Sequence, residues 1–357
     1  MAIEDCPWDQ LNPNKVNLAN IVCVAYGHPD LPKTHKNLLD FGLFESFRTG
    51  IGPDEAIYYR GYGVQPVVYI AKRAPVPVFL GSYFEADTPE DFELAAKVVG
   101  AEEIVPFCGG KAVTISDPQG LQLHIVYGYQ KREYTPREGN QSLPANIPSA
   151  TDAADSLSKP RRGVGHSNKS ALFQMHQILT KCCTGLKHGI TPIHKLGHVG
   201  YVVDDLVANV DFYTRNFNFK PSDIMLGPAP EKKPMLLFLH LDRGQKYTDH
   251  HTFFPAQAHG AFKGGRPHHS AFETENIDAE FVGHTYLETQ GYKAWWGVGR
   301  HIEGSQVFDY WYDVDGFIIE RYADGDVVNE DYPIGWNDAR TPSENVNWGP
   351  LRPELVL

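Results

Sequence analysis

Three residues carry the most specific chemistry in this chain. His198 opens an apolar strand after Lys195-Leu-Gly, and His269 opens another after Arg266-Pro-His. Glu320 lies within Phe317-Ile-Ile-Glu-Arg-Tyr322, and a carboxylate inside an apolar strand needs a strong reason to be buried. Two imidazoles and one carboxylate on one face, with the opposite positions open, are the ligand set of non-haem Fe(II) enzymes that activate O2. The same ligands suit Mn(II), and no thiolate lies near them to argue for structural zinc. His268 stands beside His269, and adjacent strand residues face opposite ways, so the pair by itself leaves the ligand open.

The elements that must position these residues occur twice. Asp313-Val-Asp-Gly-Phe-Ile-Ile-Glu320 and Asp117-Pro-Gln-Gly-Leu-Gln-Leu-His124 are both acidic-glycine turns feeding an apolar strand, each with a ligand-type residue four places past the glycine. In the later half, Val199–Val203 reads as a strand, Val207–Phe217 as a helix after Asp204-Asp-Leu, and Met235–Leu241 and Thr252–Phe254 as strands. His269 then opens a second unit, with a helix over Asp278–Thr289 and strands at Phe308–Tyr312 and Phe317–Tyr322. The earlier half repeats the plan: strand Ile21–Tyr26, helix Asp30–Phe41, strand Val67–Ala71, then Ser82–Asp87, helix Pro89–Val99, Ala112–Ser116 and Leu121–Tyr127. Strand order and turn chemistry thus predict an α+β chain of four βαβββ modules. They form two domains, each a curved, barrel-like mixed sheet with flanking helices. The first copy lacks the ligand set. Gly81 stands where His269 stands, His124 where Glu320 stands, and no histidine opens its first strand.

Composition sets the outer limits. The 357 residues favour two or so domains, and 18 Tyr with 19 Phe favour strands. A net charge of −12 without a basic stripe argues against nucleic acid or an anionic membrane as partner. Five cysteines without a Cys-x-x-Cys pair read as reduced thiols, and no secretory signal or apolar span is evident, so a cytoplasmic protein is expected. The expected organisation is an N-terminal segment (1–14), a metal-free domain (15–130), a Pro/Ser/Asn/Asp-rich excursion (131–189) with a short helix over 171–179, a metal-binding domain (190–325) and a C-terminal tail (326–357).

Gly197-His-Val-Gly-Tyr-Val-Val-Asp-Asp-Leu206, His268-His-Ser-Ala-Phe272 and Tyr310-Trp-Tyr-Asp-Val-Asp-Gly-Phe-Ile-Ile-Glu320 resemble the vicinal oxygen chelate superfamily. Within it they look like the two-domain type I extradiol ring-cleavage dioxygenases, the catechol 2,3-dioxygenase group. The resemblance is specific in the second half and weak in the first. It implies Fe(II) held by His198, His269 and Glu320, a catecholic substrate, O2 as co-substrate and a homo-oligomer. It further implies an acid–base histidine within Asp249-His-His-Thr-Phe-Phe254, where His250 is the better match, with His251 on the other face of the strand. His301, in Gly297-Val-Gly-Arg-His301, would contact the substrate, and Tyr310 would hydrogen-bond a substrate hydroxyl. The chain departs from the family at Val314, where proline is usual, and in the length of Pro255–Gly265. Two other readings compete. A glyoxalase-like isomerase or lyase would use a divalent metal without O2, commonly with four ligands shared between modules. A non-catalytic binding protein of the antibiotic-sequestering kind would not need all three ligand-type residues.

Overall fold

The computed structural model describes residues 2–9, 14–133, 189–260, 263–338, 346–351 and 353. Most of the expected 131–189 excursion, including the helix expected over 171–179, lies outside the described residues.

The first sheet is built from β1 (Leu18–His28), β2 (Phe44–Thr49), β3 (Ala56–Arg60), β4 (Tyr69–Arg73), β5 (Val78–Ala86), β6 (Glu102–Ile104), β7 (Lys111–Ser116) and β8 (Gln122–Tyr127), in the order β2-β3-β4-β1-β5-β8-β7-β6. The second contains β9 (Lys195–Val203), β10 (Phe219–Leu226), β11 (Pro234–Leu241), β13 (Phe253–Gln257), β14 (Arg266–Glu273), β15 (Ala294–His301), β16 (Val307–Tyr312) and β17 (Ile318–Ala323). Its central order, β10-β11-β13-β9-β14-β17-β16-β15, is that of the first sheet strand for strand. Four βαβββ modules are therefore present, with helices α1 (Leu31–Phe41), α2 (Pro89–Ala95), α3 (Leu206–Asn216) and α4 (Ile277–Thr289) each following the first strand of a module.

Each helix starts where a side chain can accept from an otherwise orphaned N–H. Asp30, Thr88, Asp205 and Asn276 accept from Lys33, Asp91, Ala208 and Ala279 respectively. Gly42, at φ +110°, ends α1 in the left-handed region that glycine tolerates. The α2 helix stops at Ala95, short of the expected Val99. Residues after 325, expected to be a tail, supply strands instead: β18 (Val327–Val328) pairs with β12 (Thr248–Asp249), β19 (Gly335–Asn337) with β10, and β20 (Val346–Trp348) with β15.

The halves pack through equivalent contacts. Tyr26 on β1 meets Ser270 on β14 at 2.7 Å, and Tyr201 on β9 meets Ser82 on β5 at 2.6 Å. One apolar core runs through both sheets, from Val24, Phe84 and Ile125 to Val199, Phe253 and Ile319. The central antiparallel pairs β1–β5 and β9–β14 both carry register shifts, which bend the sheets.

Candidate metal centre

The register of three neighbouring strands brings the predicted ligand residues together. Ala271 of β14 lies between His198 of β9 and Glu320 of β17, while His269 faces Gly200. His198 Nε2 and His269 Nε2 are 3.2 Å apart, and Glu320 Oε2 lies 3.1 and 3.0 Å from them. All three residues are buried. Among the described residues, these three form a group whose ligand atoms lie within 4.8 Å of one another.

The electrostatics suit a cation between them. Both ring Nε2 atoms and a carboxylate oxygen point at one spot, yet at most one proton can serve each close contact. Glu320 Oε1 and His198 Nδ1 are buried without a hydrogen-bond partner. Among the described residues, Glu320 pairs with the two imidazoles and with no lysine or arginine. Burial pushes the Glu320 carboxyl up, but hydrogen bonds from His198 and His269 outweigh it and hold the group below the usual carboxylate range. Burial lowers His269 despite the pull of Glu320, keeping its imidazole in the neutral form that ligates. This donor set fits Fe(II) or Mn(II).

The other residues singled out from sequence gather at the same centre. His301 Nε2 and the Tyr310 hydroxyl are 2.9 Å apart, and the Tyr310 ring meets the His269 ring edge-on at 5.1 Å. Burial takes His301 down to about 4, while burial and the charge of Glu320 raise Tyr310 well above its ordinary value. His268 contributes its Nδ1 to the Nδ1 of His269 at 2.8 Å, so it braces the neighbouring ring. Phe254 packs over Gly200 and against His198 and His269, at 6.2 and 4.9 Å between ring centroids. Trp295 lies 5.3 Å from the Tyr310 ring.

The two adjacent histidines divide differently from the strand-alternation expectation. His251 lies against His198 with ring centroids 4.1 Å apart, whereas His250 Nε2 contacts Asp223 Oδ2 at 2.7 Å. Residues 250–252 sit between β12 and β13, outside regular strand, so alternation does not dictate their directions. The two rings still touch, with Nδ1 atoms 3.2 Å apart. Asp223 was not a sequence candidate. Its only signal is an acid in a mixed-polarity segment, Phe219-Lys-Pro-Ser-Asp-Ile-Met-Leu226.

In the first half, register places Cys23, Gly81 and His124 at the positions of His198, His269 and Glu320. His124 is a satisfied core residue: Nδ1 meets Thr114 Oγ1 at 2.6 Å, Nε2 meets the Leu80 carbonyl at 3.0 Å, and the ring stacks on Tyr83 at 4.1 Å. A Cβ on Gly81 would come 2.6 Å from His124 Nε2.

Residues 195–320 match the model of the Glyoxalase/Bleomycin resistance protein/Dioxygenase superfamily. A curated relative, metapyrocatechase 2 of Cupriavidus necator, is 28% identical over 165 residues, covering 46% of this chain and 47% of the relative. The match thus spans about half the relative's length. Homoprotocatechuate 2,3-dioxygenase from Arthrobacter globiformis superposes with TM-score 0.68 at 16% identity, covering 96% of this chain and 93% of that one. The Mn(II)-bound glyoxalase from Novosphingobium aromaticivorans gives TM-score 0.66 at 18% identity, covering 95% and 93%. These two likenesses establish the fold. Among the described residues, no helix is long and apolar enough to cross a membrane.

Proposed function

We propose, from the match of residues 195–320 to the Glyoxalase/Bleomycin resistance protein/Dioxygenase superfamily, an extradiol dioxygenase that cleaves a catecholic ring with O2. The observation carrying this reading is the buried convergence of His198, His269 and Glu320 beside a second set of protic side chains, His250–His251 and His301–Tyr310. His198, His269 and Glu320 would hold Fe(II), with Mn(II) accepted by the same donors. When bound, the ion supplies the redox and Lewis-acid chemistry of ring opening.

The chain's own residues do the rest. The His250–His251 pair takes a proton from a substrate hydroxyl and returns it later in the cycle. Its two rings are buried, and burial followed by the nearby imidazole of His198 depresses His251 far below its ordinary value, so His251 starts neutral and able to accept. The Tyr310 hydroxyl, kept protonated, donates to a substrate oxygen, and His301 holds that hydroxyl in place. Phe254, Trp295 and His268 wall the site with rings, which favours an aromatic substrate and excludes water.

A glyoxalase-like, O2-independent isomerase is the second reading, favoured by the Mn(II)-bound glyoxalase among the structural neighbours. One experiment separates them. The chain is purified anaerobically, assayed for bound metal, loaded with Fe(II) or Mn(II), and given catechol with and without O2. Yellow ring-cleavage product formed with matching O2 uptake supports the dioxygenase. Metal-dependent conversion of a hemithioacetal under argon, with catechol untouched, sinks it.

A further inference from the structure

The pair of histidines beside the candidate metal centre is held from behind. Asp223 on β10 presents Oδ2 to His250 Nε2 at 2.7 Å, and its Oδ1 accepts from Asn337 Nδ2 at 2.8 Å. Asn337 belongs to β19, which pairs in register with β10, and Asp223 lies opposite Gly335. The approach is close enough to require glycine: a Cβ at 335 would come 1.9 Å from Asp223 Oδ1. The His250 ring is fixed on its other sides as well. A Cβ on Gly304, at φ +66°, would lie 2.7 Å from His250 Nδ1, and the Tyr332 ring stands perpendicular at 5.9 Å. Ser222 Oγ donates to the His250 carbonyl at 2.6 Å.

We propose that Asp223 is a positioning residue which, braced by Asn337, fixes the orientation and tautomer of the His250–His251 pair. The inference rests on the dioxygenase reading only for its kinetic consequence. A carboxylate flanked by two donors can only accept, so His250 Nε2 carries the proton. With the proton at Nε2, Nδ1 is the nitrogen of His250 that accepts across the ring–ring contact, and His251 Nδ1, 3.2 Å away, donates to it. His251 is thereby held with Nδ1 protonated and Nε2 bare, in the ring that lies against His198. Which nitrogen of an imidazole is bare is set by the hydrogen bond its other nitrogen makes. The selection begins at Asp223.

Asp223→Asn keeps the shape and tests the direction of this chain. The Asn337 amide holds an oxygen of residue 223 on its own side, so the new NH2 group turns toward His250 Nε2 and requires it to accept. Both tautomers then invert. Adding Asn337→Ala frees the new amide to rotate its oxygen back toward His250, so the double variant regains part of what the single one lost. A residue that only filled space would show no such rescue.

The full-length chain carries the test in two arms. In the first, 15N-histidine spectra of the zinc-loaded protein assign the protonated nitrogen of His250: Nε2 in the parent, Nδ1 in Asp223→Asn, and Nε2 restored in the double variant. In the second, the Fe(II)-loaded proteins are assayed on catechol. The kcat of Asp223→Asn falls by about 10–100-fold with KM and iron content unchanged, and the double variant recovers part of it. Unchanged tautomers and kcat in Asp223→Asn overturn the proposal. So does a loss of iron in step with activity, or a double variant worse than the single. If the parent leaves catechol intact, the dioxygenase reading fails, while the tautomer arm still decides the role of Asp223.

Discussion

Gly200→Ala is the sharpest test of how the fold holds the centre. A glycine inside a strand ordinarily weakens it by about 0.5–1 kcal/mol relative to alanine, so on backbone grounds the substitution should stabilise. Here the opposite is expected. A Cβ on Gly200 would lie 1.8 Å from Phe254 Cζ and 2.1 and 2.3 Å from the adjoining ring carbons. Ordinary contact needs about 3.4 Å or more, so the ring must shift by about 1.6 Å. It has little room, since it is buried and packs against the rings of His251, His268 and His269. Overpacking of this kind costs about 1–3 kcal/mol. In a Phe254→Ala background the clash is gone, and Gly200→Ala should return to stabilising by about 0.5–1 kcal/mol. The coupling between the two sites is then about 1.5–4 kcal/mol, read from a double-mutant cycle in urea. Phe254→Ala alone should cost about 3–5 kcal/mol. Because the displaced ring leans on His269, Gly200→Ala should also weaken metal binding, measured by equilibrium dialysis against Mn(II). Equal destabilisation by Gly200→Ala in both backgrounds would refute the reasoning, because the cost would then lie in the backbone and not in the ring.

Three further outcomes follow from the same geometry. His268→Ala removes the 2.8 Å brace on His269 Nδ1 and should weaken metal affinity by about 10–100-fold, less than His269→Ala, which removes a ligand outright; a titration in which the two variants bind equally poorly would reverse their roles. Tyr310→Phe deletes the hydroxyl at His301 Nε2 and should lower catechol turnover while costing only about 0.5–1.5 kcal/mol of stability, so a fall in turnover explained wholly by unfolding would remove Tyr310 from the mechanism. Asp313 is buried with Oδ2 unpartnered, and burial raises its carboxyl from 3.8 to about 7. Its folded form therefore favours the neutral acid, so its contribution to stability is full below about pH 4 and is lost as pH rises to about 7. Asp313→Asn keeps an acceptor for the Asp315 and Phe317 N–H groups, so it should gain stability over the parent across that window, by at most about 4 kcal/mol at pH 8; parallel melting curves at pH 4 and pH 8 would count against it.

What the sequence disclosed and what it hid divide by the range of the interaction involved. The turn Asp313-Val-Asp-Gly is fixed locally: Asp313 Oδ1 accepts from the backbone N–H groups of Asp315 and Phe317, and Asp117 does the same for Gln119 and Leu121. Such turns can be read from four residues, and each sets the register of the strand that follows, which is why the fourfold module and the convergence of His198, His269 and Glu320 were legible. Strands β2 and β10 were not, because Phe44-Glu-Ser-Phe-Arg-Thr49 and Phe219-Lys-Pro-Ser-Asp-Ile-Met-Leu226 mix charges and apolar residues without clean alternation. Strand alternation does not orient His250 and His251 for a related reason: they lie in a connection that is not strand. What orients that pair is a carboxylate 27 residues before it, held by an amide 114 residues further along the chain. No local pattern can announce a partnership of that length. It becomes visible only when β19 is laid against β10 with Gly335 opposite Asp223, and a strand contact that looks like simple edge closure then proves to set the direction of a hydrogen bond beside the centre.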